Sequence, residues 1–183
     1  DRGTALLKGN TDRDIVDEGA SDPELGDKKR ASIAWTREQL GSERISALDG
    51  LAFECRVVVP DGSSLLVVHA NPRDLDQHVF RDMADDDRER LVGDVRDETL
   101  VFGHLHIPNH RTFKQIELFN IASVGLPRDG DRRAVWGEFV WSPERGWSGT
   151  IHRTVYDVAD TVLRILESGM PHPERRIRDL VRA

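Results

Sequence analysis

The chain holds a single cysteine, Cys55, so no internal disulfide can form. That scarcity fits a reducing compartment, and the cytoplasm is the expected location. Basic charge also falls short. Lys and Arg number 26 against 33 Asp and Glu, a formal net charge of −7. Non-specific binding to DNA or RNA needs a basic face to neutralise phosphates, so the balance argues against it as the main role. No apolar run approaches the roughly 20 residues of a membrane helix, so no membrane partner is expected. No signal-peptide pattern is visible. Internal repeats and low-complexity tracts are missing as well. What remains is an ordinary globular composition, 38% hydrophobic and 32% charged, over a length that suits one domain with a proper core. The expected domain spans 1–183.

The most informative segment is Gly103-His104-Leu105-His106, directly after the apolar run Leu100-Val101-Phe102. Neutral imidazole is the commonest metal ligand among side chains. Alternation along a strand would put His104 and His106 on one face. Gly103 lets the chain leave the strand without steric penalty. Two further fragments are of the same kind. Leu65-Leu66-Val67-Val68 runs into His69, and Thr4-Ala5-Leu6-Leu7 runs, past Lys8, into Gly9-Asn10-Thr11-Asp12. Three predicted strands thus end in polar, metal-capable residues.

Read in order, GNTD, VVHA and GHLH resemble the motif series of the calcineurin-like metallophosphoesterases. The segment Ser123-Val124-Gly125-Leu126-Pro127-Arg128-Asp129-Gly130-Asp131 also looks like a stretch common in small bacterial members. The order and strand contexts carry the resemblance, because any one motif alone is weak. It implies an α/β fold, the four-layer α/β/β/α sandwich of two packed sheets with helices outside. It also implies a two-metal phosphoesterase acting on phosphodiester or nucleotide-type phosphates, hence a small phosphate-ester or nucleotide substrate. Asn10, His69 and His104 would bind one ion and His106 the other. Asn10 and His69 are then the residues on which catalysis depends, with Asp12 beside them orienting the Asn10 loop. Mixed imidazole and oxygen ligation suits Mn, Fe, Co, Ni or Zn, with Mn favoured. Arg128 is a candidate phosphate clamp, because a guanidinium matches phosphate in a bidentate way; as a plain surface residue it would pair with Asp129 or Asp131.

Two departures stand out. The family's D-x-H and G-D-x-x-D motifs do not occur here, and the chain opens on Asp1-Arg2-Gly3. The expectation is that the first strand, first helix and second strand of the sheet lie outside this sequence, leaving a sheet edge exposed beside Thr4–Lys8. The missing ligands also keep a rival reading open, a non-catalytic metal-binding or scaffold protein of the same fold. The second departure is Thr11, where many members place a histidine able to protonate the leaving group.

Along the chain, Thr4–Lys8 reads as a short buried strand and Asp14–Lys29 as an acidic loop. Trp35–Leu40 and Ser42–Leu48 read as two helical pieces. Phe53–Val59 and Ser64–Val68 flank turn chemistry and form a hairpin. Asp74–Phe80 is an irregular loop, and Asp85–Gly93 a helix whose acidic first turn suits the macrodipole. Thr99–Phe102 is a buried strand. His110–Phe113 with Gln115–Ala122, and Ala134–Trp141 with Gly149–Tyr156, read as paired strands. Val158–Ser168 and Pro173–Arg182 close the chain as helices. His78, His110, His152 and His172 match no family ligand and read as structural or exposed, though His110 follows GHLH closely enough to line the site. Trp136, Trp141 and Trp147 read as sheet and core packing, and Cys55 as a buried thiol.

Overall fold

The computed structural model describes residues 4–19 and 24–182. Its centre is a five-stranded sheet in the order β1-β2-β3-β5-β4. The strands are β1 (Glu54–Val58), β2 (Ser64–Val68), β3 (Thr99–Phe102), β4 (Asn109–Phe113) and β5 (Ile116–Asn120). β2, β3 and β5 run parallel, and the two outer pairings are antiparallel. Every residue of β3 is buried. A strand covered on both faces reads as a continuous apolar run, which is what Leu100-Val101-Phe102 and Leu65–Val68 are.

The two faces have different covers. Leu66, Val68, Leu100, Phe102 and Leu118 meet Leu91 and Val92 of helix α3 (Asp85–Val92). Leu65, Val101 and Phe119 meet Phe139, Trp147 and Ile151 of a second sheet. That sheet is the hairpin β6 (Ala134–Ser142) and β7 (Gly146–Thr154). Its approach is tight. A Cβ on Gly149 would lie 2.6 Å from the rings of Phe119 and Phe139, so a side chain there would push the sheets apart. A central sheet with helix on one face and a second sheet on the other is the metallophosphoesterase-like α/β arrangement.

Helices α1 (Asn10–Val16) and α2 (Asp27–Asp49) pack on each other, as do α4 (Val158–Glu167) and α5 (Pro173–Arg182) near the C-terminus. The parallel strands β2, β3 and β5 end together. His69 follows β2 directly and Gly103 follows β3, and Gly103 N–H donates to the His69 carbonyl at 2.9 Å. The crevice beyond the carboxyl ends of parallel strands is the usual binding place in such sheets.

Several expectations need correcting. Thr4–Lys8 is no buried strand. Only Leu7 bridges to Ala52, with Lys8 N–H donating to the Ala52 carbonyl at 2.8 Å. Among the described residues that bridge is the segment's one strand-type pairing, and Leu6 is 67% exposed. Within Asp14–Lys29 the chain is helical at both ends rather than looped, and positions 20–23 lie outside the described residues. The helical break falls at Gly41, whose φ of 71° no L residue adopts without strain. α2 nevertheless starts at Asp27, eight residues before Trp35, since packing on α1 rather than periodicity holds its first turns. Cys55 is half-buried, because β1 is an edge strand. Trp147 packs in the core, whereas Trp136 is 42% exposed and stacks on His152.

A convergent imidazole site in a basic cleft

Three loops bring donors to one point. Asn10 is the first residue of α1, with Gly9 as its N-cap. Asp12 Oδ2 accepts the Gly9 N–H at 2.8 Å, which fixes the turn carrying Asn10. Gly9 also packs closely on the site. A Cβ there would lie 3.1 Å from Cε1 and Nδ1 of His69, so a side chain would press on the imidazole. The result is a close group: His69 Nε2 lies 3.0 Å from Asn10 Oδ1 and 3.1 Å from His104 Nδ1.

His104 and His106 reach the site by a different route from strand alternation. β3 ends at Phe102, and both histidines sit in the left-handed region, with φ of 62° and 64°. Non-glycine residues pay roughly 1–2 kcal/mol for that conformation, and such strain gathers at functional sites. A tight turn with Leu105 N–H donating to the Gly103 carbonyl at 2.7 Å makes the conformation. Fully buried Asn120 secures the loop from beneath, its Nδ2 donating to the Gly103 carbonyl at 3.2 Å and its Oδ1 accepting Ala122 N–H.

Each imidazole has its far nitrogen fixed. His104 Nε2–H donates to the Asp76 carbonyl at 2.9 Å, so Nδ1 presents a lone pair to the group. His106 Nδ1–H donates to the Leu126 carbonyl at 2.7 Å, which frees Nε2. Ligating histidines are held by outer hydrogen bonds of this kind. The Asp76 carbonyl is itself placed by a loop built on buried Asn71, whose Nδ2 donates to the Gln77 carbonyl and whose Oδ1 accepts the Arg73 and Asp74 N–H groups.

The protonation states favour a cation. Burial pushes the His69 imidazole down to about 4, with help from His104. Burial also lowers His104 and His106. The Asp76 carbonyl opposes this at His104 and the Leu126 carbonyl at His106, where Arg128 and Arg176 add to the lowering. All three are therefore neutral imidazoles at pH 7. Asn10 Oδ1 and His104 Nδ1 are both acceptors facing His69 Nε2, and at most one proton, on His69 Nε2, serves them. A divalent cation with bonds of about 2.1 Å in octahedral geometry holds neighbouring ligands roughly 3 Å apart, which matches the two spacings at His69 Nε2. Among the described residues no three His, Cys, Asp or Glu side chains gather on one point. The group here is two imidazoles and an amide oxygen, and it fits one such ion.

The imidazoles open onto a cleft of roughly 390 Å³. Asn10, Thr11, His104, His106 and Arg128 all line it. Arg128 does not pair with Asp129 or Asp131, which take Arg153 and Arg133 instead. Its N–H donates to the His106 carbonyl at 2.7 Å, linking its position to the GHLH turn. His78, expected to be structural or exposed, packs at a tilt against His104 with ring centroids 4.4 Å apart, and it lines the cleft with His172. His110 instead stacks on Phe119 and bonds Glu117 at 2.5 Å, outside the cleft. Lys28, Arg175 and Arg176, which no local pattern marked, complete the cleft's basic wall.

No protein-family model matches the sequence, and no curated protein does. Solved structures do. A metallophosphoesterase from Sphaerobacter thermophilus is similar with a TM-score of 0.69 and 22% identity, over 96% of this chain and 75% of that one. A hypothetical protein from Pyrococcus horikoshii OT3 is similar with a TM-score of 0.76 and 19% identity, over 96% of this chain and 71% of that one. The fold is thus that of the metallophosphoesterases.

Proposed function

We propose that this chain is a metal-dependent phosphoesterase that hydrolyses phosphodiester or nucleotide-type phosphate bonds. The observation that carries the reading is that His69 Nε2 lies within 3.1 Å of both Asn10 Oδ1 and His104 Nδ1, beside a cleft lined by cations. Asn10, His69 and His104 would hold one divalent ion. His106, with Nε2 free, would serve a second. Manganese is favoured among Mn, Fe, Co, Ni and Zn. Bound in this way, a divalent pair supplies a hydroxide near neutral pH and offsets phosphoryl charge.

The chain's own residues do the rest. Asn10 contributes an oxygen donor with no charge, so the ligand set does not repel a phosphate. The carbonyls of Asp76 and Leu126 fix the imidazoles, so little reorganisation is needed when the substrate arrives. Arg128, placed through the His106 carbonyl, offers a fork of N–H donors to the phosphoryl oxygens. Asp12 keeps Asn10 in register by accepting the Gly9 N–H. The expected substrate is a small phosphate ester or nucleotide rather than a membrane lipid or bulk nucleic acid.

A second reading, metal binding without turnover, draws support from the donor group itself, which contains no carboxylate. Metal content and activity separate the two. After incubation with manganese and gel filtration, elemental analysis is expected to give two ions per chain. Manganese-dependent hydrolysis of bis(4-nitrophenyl) phosphate is expected to accompany them and to vanish in His104→Ala. Bound metal without any turnover would favour the non-catalytic reading, and activity that survives His104→Ala would end the phosphoesterase one.

A further inference from the structure

The cleft is a charge anomaly. The chain is acidic overall, at −7, yet Lys28 from α2, Arg128 from the loop after β5, and Arg175 and Arg176 from α5 all line one cleft. Among the described residues no carboxylate pairs with any of these four. Asp14 holds Lys29 at 2.6 Å and Asp129 holds Arg153. Asp179, the one carboxylate lining the cleft among the described residues, lies 3.9 Å from Arg178 and offsets only part of the charge. Four like charges around one space repel each other, and clefts of one sign concentrate ligands of the opposite sign. A single phosphoryl group carries about two charges and three oxygens. Held at the imidazoles, it would engage Arg128 and leave the cations of α2 and α5 uncompensated.

We propose that Lys28, Arg175 and Arg176 bind the distal phosphates of a phosphoanhydride chain whose reacting phosphate sits at the imidazole group beside Arg128. The substrate class is then a linear polyphosphate, free or carried by a nucleoside. The cleavage step rests on the phosphoesterase reading; the binding of the chain does not. Thr11 supports the assignment independently, since it puts a hydroxyl rather than an acid into the cleft. In phosphoanhydride hydrolysis, water oxygen bonds to phosphorus and the bond from that phosphorus to the bridging oxygen breaks. The electron pair stays on the departing phosphate, which leaves as an anion without needing a proton from the protein. The surplus proton goes to solvent. Ile15, Ile33, Leu126 and Met170 line the same cleft and offer an apolar seat for a base.

The test is equilibrium binding by calorimetry to the full chain, with a chelator present so that no divalent ion carries the anion. Inorganic tripolyphosphate is expected to bind at least about 30-fold tighter than orthophosphate, since each tenfold needs only one good ionic contact. The double substitution Arg175→Gln and Arg176→Gln, both exposed on α5, is expected to erase most of that difference with the circular dichroism spectrum unchanged. Lys28→Gln, on a different helix, is expected to remove about threefold by itself. Equal affinity for the two anions, or a preference that survives all three substitutions, would overturn the proposal. ATP binding tighter than tripolyphosphate would identify the nucleoside-borne chain, and equal or weaker binding the inorganic one. Tight tripolyphosphate binding with no manganese-dependent hydrolysis of any phosphate would keep the wall and remove the phosphoesterase reading. Diester hydrolysis without a tripolyphosphate preference would do the reverse.

Discussion

Arg13 holds Asp76 by its side chain while Asp76 holds His104 by its backbone. The guanidinium donates to Asp76 Oδ2 at 2.5 Å, and the Asp76 carbonyl accepts His104 Nε2–H at 2.9 Å. Arg13 also donates to Asp14 Oδ1 at 2.8 Å, so α1 and the loop after β2 are clamped by one side chain. The ionic contacts raise the Arg13 guanidinium further above its usual range, Asp76 most, against the opposing effect of burial. The helix that carries Asn10 is thus linked to the loop that orients His104.

Arg13→Gln is expected to loosen this link. The outer partners of metal-bound histidines are typically worth about 10- to 100-fold in affinity. Acting one bond further out, Arg13 is expected to cost about tenfold in manganese affinity. Asp14, fully buried, would also keep only Lys29, and a weakened buried charge costs on the order of 1–3 kcal/mol. Manganese titration and thermal melting of the same variant check both halves. Unchanged affinity would show that Arg13 supports α1 alone.

Much of this arrangement was legible in the sequence because its signals are local. The GHLH turn, the VVHA strand end and the 60–63 hairpin turn each show within a few residues, and each lies where expected. The links between them are not local. Arg13 and Asp76 are 63 positions apart. Lys28, Arg128, Arg175 and Arg176 form no run, so an acidic composition concealed a basic cleft. α1 was hidden for another reason. Seven residues are too few to hold a helix by propensity, and its stability comes from the Asp12 cap and from packing on α2.

Substitution at His104 is expected to reverse the usual order of glycine and alanine. With φ at 62°, His104→Gly removes backbone strain that His104→Ala retains. The glycine variant is expected to be more stable than the alanine variant by about 1 kcal/mol, although both lack the imidazole. Chemical denaturation of the two metal-free variants makes the comparison. A more stable alanine variant would mean the turn is unstrained.

Acid stability of the metal-free protein is expected to fall in two stages. His69 is held at about 4 in the fold against an ordinary value of 6.5, so the unfolded chain takes up its proton first. The stabilisation is complete above 6.5 and is lost as pH falls toward 4. Asp14 then follows. Burial raises its pKa, but Lys29 and Arg13 outweigh that and hold it below 3.8. Its contribution is present above 3.8 and is lost at lower pH. Denaturant titrations in chelator between pH 7 and 3 measure the slope. His69→Gln is expected to make the stage between 6.5 and 4 shallower, leaving the share of His78, His104 and His106, and to leave the lower stage unchanged.

Thr11 sets an expectation about leaving groups. It lies next to Asn10 and lines the cleft. A hydroxyl is far too weak an acid to protonate a departing alkoxide, and positioned proton transfer contributes about 10²- to 10⁴-fold. His78 does not fill the role at neutral pH. Burial, His104 and Arg128 all lower its pKa and keep it unprotonated. A nitrophenyl diester, whose leaving group is stable as an anion, is therefore expected to turn over at least about 100-fold faster than an alkyl diester of similar size. Thr11→His is expected to narrow that gap by raising the alkyl rate alone. Equal rates for the two esters in the unaltered protein would show that another acid reaches the leaving group, and that Thr11 does not govern the chemistry.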